Sequence, residues 1–224
     1  MKAWAIDIGA TNTGIACWDD AKGQPRLIEL PRVCRRPGGE DPLEAPVLIP
    51  SVVEFLARTK LIDRIGAWRP VEHWMLGSTA LIGQPALNRN QALANPAFVP
   101  GFKTALAWEP TRPVARVDRR VVTAREAARA FLRELFAEVK RETGDRIRDL
   151  VATVPVDAYE GYRAQLQHVA RSLGVRRLRF VDEPLAAALG YGLGIASDRN
   201  VLVVDIGGGT MHVALLRLTA GGVE

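Results

Sequence analysis

Two segments near opposite ends of the sequence share one pattern: an apolar run, Asp-Ile-Gly, a turn of small residues, and a second apolar run. Residues 4–16 read Trp-Ala-Ile-Asp-Ile-Gly-Ala-Thr-Asn-Thr-Gly-Ile-Ala, and residues 202–214 read Leu-Val-Val-Asp-Ile-Gly-Gly-Gly-Thr-Met-His-Val-Ala. Short apolar runs on both sides of a glycine-containing turn are typical of a β-hairpin. The pattern therefore predicts two hairpins, with strands at 3–8 and 14–18 in the first.

The turns of both predicted hairpins contain residue types that bind phosphate. Glycine lets a phosphate approach backbone N–H groups more closely than a Cβ would permit, and Thr11 and Thr210 add hydroxyl donors. Asp7 and Asp205 would end their strands beside the turns, where a carboxylate can hold a hydrated Mg²⁺ that bridges phosphate oxygens. Each copy alone also fits an ordinary hairpin. Two copies that face each other predict a site that binds the phosphates of a nucleoside triphosphate from both sides.

Helices and strands alternate in the second half of the chain. The sequence Thr123-Ala-Arg-Glu126 is a capping box that predicts a helix start, and Gly144 predicts its left-handed end. The later elements are a strand at 150–154, a helix at about 158–173, a strand at 178–181, a helix beginning at Pro184, and a strand at 201–206. This alternation predicts an α/β fold whose sheet has parallel members.

The periodicity weakens between about Arg35 and Pro113. Prolines recur there, and three of the five tryptophans fall in the same stretch, at Trp68, Trp74 and Trp108. Because proline lacks an N–H and restricts the residue before it, such a stretch is typical of loops. We interpret it as a loop-rich inserted subdomain, and we place a third strand near 27–30.

Composition and charge narrow the class of protein. The 224 residues are 48% hydrophobic and 25% charged, which is an ordinary globular balance, and the net charge of +5 is only mildly basic. Local arginine clusters are typical of solvated faces, so a nucleic-acid partner is disfavoured. These clusters are Arg32, Arg35 and Arg36, and Arg171, Arg176, Arg177 and Arg179. Cys17 and Cys34 form neither a disulfide framework nor a metal-binding pair. Since no apolar run resembles a signal peptide or a membrane span, we expect a cytoplasmic protein without a membrane partner.

Five blocks of sequence carry a family resemblance. They are residues 7–12 (Asp-Ile-Gly-Ala-Thr-Asn), 49–53 (Ile-Pro-Ser-Val-Val), 151–155 (Val-Ala-Thr-Val-Pro), 182–193 (Asp-Glu-Pro-Leu-Ala-Ala-Ala-Leu-Gly-Tyr-Gly-Leu) and 204–210 (Val-Asp-Ile-Gly-Gly-Gly-Thr). In this order they resemble the DnaK-like 70-kDa heat-shock chaperones of the actin-like ATPase superfamily. The fourth block is the specific one, because Asp-x-Gly turns are shared with sugar kinases and actins.

The resemblance implies an α/β, ribonuclease H-like lobe in which helices flank a mixed sheet. Residues 1–198 would form this first lobe, with a core at 1–36 and 114–198 and an inserted subdomain at 37–113. Residues 199–224 would be the opening hairpin of an incomplete second lobe. We therefore expect either a fragment of a longer protein or a truncated relative that needs a partner.

The resemblance also implies roles for residues of the two turns. ATP phosphates would be lined by Gly9, Ala10, Thr11, Asn12, Gly207, Gly208, Gly209 and Thr210. Asp7 and Asp205 would orient Mg²⁺ through water, and Asp205 would also serve catalysis. The family's pattern differs at two positions: a threonine stands where this chain has Ala10, and an aspartate where it has His212. His212 would weaken the positioning of Mg²⁺, although it also fits an ordinary packed polar residue.

Four further residues receive roles from the resemblance. Lys103 would face the γ-phosphate, and Glu183 would position the attacking water. Pro155 and Arg163 would form the switch that relays the nucleotide state to a peptide-binding domain. Ordinary explanations stay open: Lys103 also fits a solvated surface lysine, Glu183 a helix-start acid, and Arg163 an exposed helix residue.

Three functions are consistent with the sequence. The leading hypothesis is the ATP-binding and ATP-hydrolysing part of a heat-shock chaperone, whose unfolded peptide clients and cochaperones bind elsewhere. The second is a sugar-kinase-like phosphotransferase, for which the sequence offers no convincing catalytic base. The third is a catalytically silent nucleotide-binding scaffold, which Ala10 and His212 favour.

Overall fold

The computed structural model describes residues 2–35, 47–56, 80–92, 94–156, 160–191, 199–208, 211–219 and 222–223. The strands are β1 Ala3–Ile8, β2 Asn12–Asp19, β3 Gln24–Leu27, β4 Ile49–Pro50, β5 Val52–Phe55, β6 Ala80–Ile82, β7 Phe98–Pro100, β8 Pro113–Val117, β9 Arg120–Thr123, β10 Asp149–Val154, β11 Arg177–Asp182, β12 Arg199–Ile206, β13 Met211–Thr219 and β14 Gly222–Val223. The helices are α1 Gly83–Arg89, α2 Lys103–Trp108, α3 Ala124–Thr143, α4 Glu160–Ser172 and α5 Glu183–Gly190.

A mixed sheet organises the molecule. Its strands run in the order β11, β10, β1, β2, β3, and β4 pairs with the first two residues of β2, Asn12 and Thr13. The strands β1, β10 and β11 are parallel, whereas the β1–β2 and β2–β3 pairs are antiparallel. Because α4 connects β10 to β11, these parallel strands form the β-α-β unit that the alternating sequence predicts. The mixed α/β fold with flanking helices is thus confirmed.

The long helix α3 begins and ends as its sequence predicts. The Thr123 side chain accepts a hydrogen bond from the Glu126 backbone while the Glu126 carboxylate accepts one from the Thr123 backbone, so the capping box is present. Gly144 ends the helix at φ 76°, in the left-handed region. Phe131, Leu135 and Val139 recur at helical spacing, and each is fully buried in the core.

One hydrophobic core joins the central sheet to its helices and to the stretch predicted as loop-rich. That stretch contains β4–β7, α1 and α2 in its described parts, and β5 is the middle strand of a three-stranded sheet with β6 and β7. Val53, Ile82 and Val99 of this small sheet lie in the same core as Ile6 and Phe131. The division of the chain at 37–113 stays a prediction.

The third strand differs in position from the sequence prediction. It lies at Gln24–Leu27 rather than near 27–30, and all four of its residues are exposed. Ile28 and Leu30 are buried, but they lie in the loop that follows the strand. The Ile28 N–H still donates to the Ile15 carbonyl of β2 at 2.8 Å, and the side chains of Ile28 and Leu30 lie in the core. The predicted start of the helix at 158 lies outside the described residues, which resume at Glu160.

The second hairpin, β12–β13, is paired in full but has an exposed apolar face. The register joins Leu202 to Leu215, Val204 to Val213, and Ile206 to Met211, so these six side chains share one face. Each is between 51% and 75% exposed. Helix α5 lies against both strands. In the described part of the chain, no helix is long and apolar enough to cross a membrane.

Candidate functional site

The first turn, between β1 and β2, is closed by its own backbone. The Gly9 N–H donates to the Asn12 carbonyl at 2.9 Å. A Cβ at position 9 would lie 2.5 Å from that carbonyl oxygen, so the turn requires glycine there. Arg35 Nε donates to Asn12 Oδ1 at 3.0 Å and fixes the side chain at the end of the turn.

Hydrogen bonds join the Ile49–Val53 block to this turn. The Ser51 N–H donates to the Thr11 carbonyl at 2.9 Å, and the hydroxyls of Thr13 and Ser51 share a buried hydrogen bond of 2.9 Å. Thr13 and Ser51 are both fully buried, so their hydroxyls satisfy each other inside the core. The block therefore has a structural reason to occur together with the turn.

Asp7 stands at the end of β1 with its carboxylate exposed, as the sequence predicts. Thr153 Oγ1, at the end of the neighbouring strand β10, donates to Asp7 Oδ1. The C-terminal ends of parallel strands meet at one edge of a sheet, and this edge is where ligands bind in open α/β sheets. The hydrogen bond orients the Asp7 carboxylate at that edge.

Lys103 and Glu183 form an ion pair, although they are far apart in the sequence. Lys103 Nζ donates to Glu183 Oε1 at 2.6 Å, and each side chain is only 12% exposed. Lys103 begins α2, and Gly101 just before it has φ +88°, with its Cβ position 3.1 Å from the Ala10 carbonyl. Lys103 therefore belongs to the segment that packs against the first turn, and Glu183 contacts it from α5.

The second turn also reaches the first. A Cβ placed on Gly208 would lie 2.3 Å from Thr11 Cγ2 and 2.7 Å from Thr11 Oγ1, so the two turns meet at these residues. Asp205 is half-buried at the end of β12. Gly209, Thr210 and the His212 side chain lie outside the described residues, and the roles expected for them stay predictions.

Arg163 is anchored next to Glu183. In the first turn of α4, Arg163 Nη2 donates to Asp182 Oδ1 at 2.9 Å, and Asp182 directly precedes Glu183. Pro155 follows β10 and is half-buried. The switch role expected of Pro155 and Arg163 stays a prediction.

The donor set fits a magnesium ion that keeps most of its water. Among the described residues, no three His, Cys, Asp or Glu side chains group into a metal cage. Magnesium is usually held by one or two carboxylates, substrate phosphates and several waters rather than by an all-protein cage. Asp7, oriented by Thr153, and the half-buried Asp205 are carboxylates of this kind.

Four residues at or beside this site have no role predicted from the sequence. Thr153 and Arg35 fix the side chains of Asp7 and Asn12, Ser51 supports the turn backbone, and Tyr162 is buried beside Arg163. A signal for Tyr162 was available, because Tyr162, Leu166, Val169 and Ala170 recur at helical spacing and mark one buried face. Ser51 and Thr153 stand in two of the blocks that carry the family resemblance, which is a signal for their segments. Arg35 acts through a contact with a distant segment, for which a single sequence has no local signal.

Comparison with known proteins identifies the family of this chain. The family model described as "Hsp70 protein" matches residues 102–224, which is more than half of the chain. The chain belongs to the Hsp70 family. The mixed sheet with flanking helices is consistent with the actin-like ATPase fold of Hsp70 proteins.

Two curated Hsp70 relatives extend the similarity to the whole chain. The proteins named "Chaperone protein DnaK" from two strains of Thermus thermophilus are each 29% identical to it over 228 aligned residues. The alignments cover 100% of this chain and 34% of each relative. The chain thus spans about a third of the length of the curated relatives it matches.

Proposed function

We propose that this Hsp70-family chain binds Mg²⁺-ATP with its phosphates between the two Asp-Ile-Gly turns, and that it hydrolyses ATP as part of a cytoplasmic molecular chaperone. The observation that carries the proposal is the ion pair of Lys103 and Glu183 beside the first turn. A cation and a carboxylate, both largely buried, are the groups needed to offset phosphate charge and to orient water.

The residues of the proposed phosphate site would have different roles. Gly9 would keep the first turn closed, because its N–H donates to the Asn12 carbonyl. The backbone N–H groups of 10–12 and 207–210 would bind phosphate oxygens, because the small residues there leave room for close approach. Asp7 and Asp205 would hold Mg²⁺ through water, and the ion would neutralise charge on the phosphates. Lys103 would contact the γ-phosphate, and Glu183 would orient the attacking water.

The proposed chaperone role extends beyond these residues. The relatives carry the name chaperone protein, and they are about three times as long as this chain, so peptide clients and cochaperones would bind elsewhere. Arg163 supports a link to such parts, since its ion pair with Asp182 lies one residue from Glu183. A movement of Glu183 would therefore displace Asp182 and its partner Arg163 in α4. Arg163 and Pro155 are the residues of the proposed switch.

Magnesium-dependent ATP binding is the direct test. We expect Asp7→Asn and Asp205→Asn, made in the protein as its gene encodes it, each to weaken Mg²⁺-ATP affinity by about tenfold, which is about 1.4 kcal/mol. Isothermal titration calorimetry with and without Mg²⁺ measures this. Asp20→Asn is the matched control, because Asp20 is exposed in the β2–β3 turn at the other end of the hairpin.

The outcomes separate the three functions. Unchanged affinity in both aspartate variants would contradict the phosphate site. Tight binding without release of phosphate would favour the silent scaffold, which the alanine at position 10 also favours. ADP formation that requires an added sugar would favour the phosphotransferase.

A further inference from the structure

Tyr162 carries a hydroxyl that packing does not explain. Its side chain is 1% exposed, and its hydroxyl has no hydrogen-bond partner among the described residues. A buried polar group without a partner lowers stability, and phenylalanine would fill the same space without that penalty. A tyrosine at this position therefore points to a partner that the hydroxyl meets in another state of the protein.

The surroundings of Tyr162 indicate which partner that is. Tyr162 lies in the first turn of α4, and α4 packs against α2, the helix that begins with Lys103. The next residue, Arg163, donates to Asp182, which directly precedes Glu183. Helix α4 is thus in contact with the helix that begins with Lys103 and, through Arg163, with the residue that precedes Glu183. Arg163 Nε is a second buried donor here that lacks a partner in the described part of the chain.

The phenol remains a donor under physiological conditions. Burial raises the pKa of Tyr162, and the negative charges of Glu183 and Asp7 raise the pKa further. The hydroxyl therefore keeps its proton at neutral pH. The two carboxylates that act on it are the same two to which the phosphate site assigns roles.

We propose that Tyr162 is a positioning residue: its hydroxyl donates a hydrogen bond to Glu183 when Lys103 leaves that carboxylate to contact a phosphate. The inference rests on the proposed function of Lys103 and Glu183. In the structure Lys103 holds Glu183 at 2.6 Å, and both side chains are 12% exposed. A largely buried carboxylate that loses its cation needs another donor. The exchange keeps Glu183 oriented toward the water it positions.

A thermal double-mutant cycle tests the exchange without any need for activity. Lys103→Met removes the cation and imitates its departure, and Tyr162→Phe removes only the hydroxyl. We expect Tyr162→Phe to leave Tm unchanged or slightly raised when Lys103 is present, and to lower Tm by about 2–4 °C when residue 103 is Met. Tyr191→Phe is the control in both backgrounds, since Tyr191 is 88% exposed. If Lys103→Met does not fold, Lys103→Gln serves the same purpose.

Single-turnover ATP hydrolysis tests the positioning role, with the protein as its gene encodes it. We expect Tyr162→Phe to slow the hydrolytic step by about tenfold while Kd for ATP stays within about twofold, because only the orientation of Glu183 changes. If Tyr162→Phe changes Tm equally in both backgrounds, the exchange is overturned. If the thermal cycle shows coupling but Tyr162→Phe leaves the rate of ATP hydrolysis unchanged, the positioning role is overturned. If the parent protein does not hydrolyse ATP, the proposed function fails, and the thermal cycle alone decides whether Tyr162 serves Glu183.

Discussion

The two Asp-Ile-Gly hairpins are built to the same local pattern and are buried in opposite ways. In β1 the side chains of Trp4, Ile6 and Ile8 alternate into the core, and Ile8 is 3% exposed. In β12 the matching residues Leu202, Val204 and Ile206 point to solvent, and Ile206 is 75% exposed. The first hairpin lies inside a sheet with helices packed on it, whereas the second contacts α5 and β14.

The different burial of the two hairpins shows which properties depend on the local motif and which depend on packing. Both hairpins pair antiparallel, with Asp7 opposite Gly14 and Asp205 opposite His212. The strands, the turns and the placement of each aspartate therefore follow from the pattern alone. Which face is buried depends on the segments that cover it, and those lie far away in the sequence.

The largest expected effect on stability comes from truncating an isoleucine side chain at matching positions of the two hairpins. Ile8→Ala should destabilise the chain by about 2–5 kcal/mol, because it opens a cavity in the core. Ile206→Ala, at the matching position of the second hairpin, should change stability by less than about 0.5 kcal/mol. Urea denaturation of both variants measures the difference. Similar losses in the two would show that the second hairpin is buried in solution.

A smaller effect is expected from adding a methyl group to each turn. Gly9→Ala should cost about 1–3 kcal/mol, because its Cβ meets the Asn12 carbonyl oxygen within the same turn. Gly208→Ala meets the Thr11 side chain instead, which can rotate, so we expect less than about 1 kcal/mol.

Adding Thr11→Ala should return Gly208→Ala to the parent stability, because it removes the two nearest atoms that the new methyl group meets. Thermal unfolding of the single and double variants measures this. An equal cost for Gly208→Ala with and without Thr11→Ala would contradict the contact between the turns.

The smallest effect on stability, and the clearest on self-association, is expected on the exposed face of the second hairpin. Leu202→Thr with Leu215→Thr replaces a cross-strand apolar pair, with its members 64% and 69% exposed. Contiguous exposed apolar surface drives association, so light scattering of the 224-residue chain should fall while Tm stays constant. Val121→Thr is the control, because Val121 is an exposed valine outside this face.

The predicted elements were those with local signals. The capping box and Gly144 defined α3, and the apolar runs on either side of Asp-Ile-Gly defined both hairpins, because these signals lie within a few residues of what they determine. The prediction placed the third strand too late in the sequence. Ile28 and Leu30 belong to a loop but have buried side chains, and apolar spacing does not distinguish such a loop from a strand.

The site was only partly predictable for the same reason. The resemblance singled out Lys103 and Glu183 one by one, but their ion pair joins α2 to α5 and has no signal in either segment. The support of the first turn by Ser51 and the orientation of Asp7 by Thr153 are likewise contacts between distant parts of the chain. A single sequence specifies such contacts through the whole fold rather than through spacing.

The parallel pairing of β1 with β10 has a consequence for synthesis on the ribosome. Strand β1 ends at Ile8 and its partner ends at Val154, so the apolar side of the first hairpin emerges long before the strand that completes its sheet. At about 5–20 residues per second, that interval is roughly 7–30 s. During it, Trp4, Ile6 and Ile8 are available to other nascent chains. Exposed apolar side chains and an unpaired strand edge favour aggregation, so this interval is the one in which the newborn chain is most vulnerable.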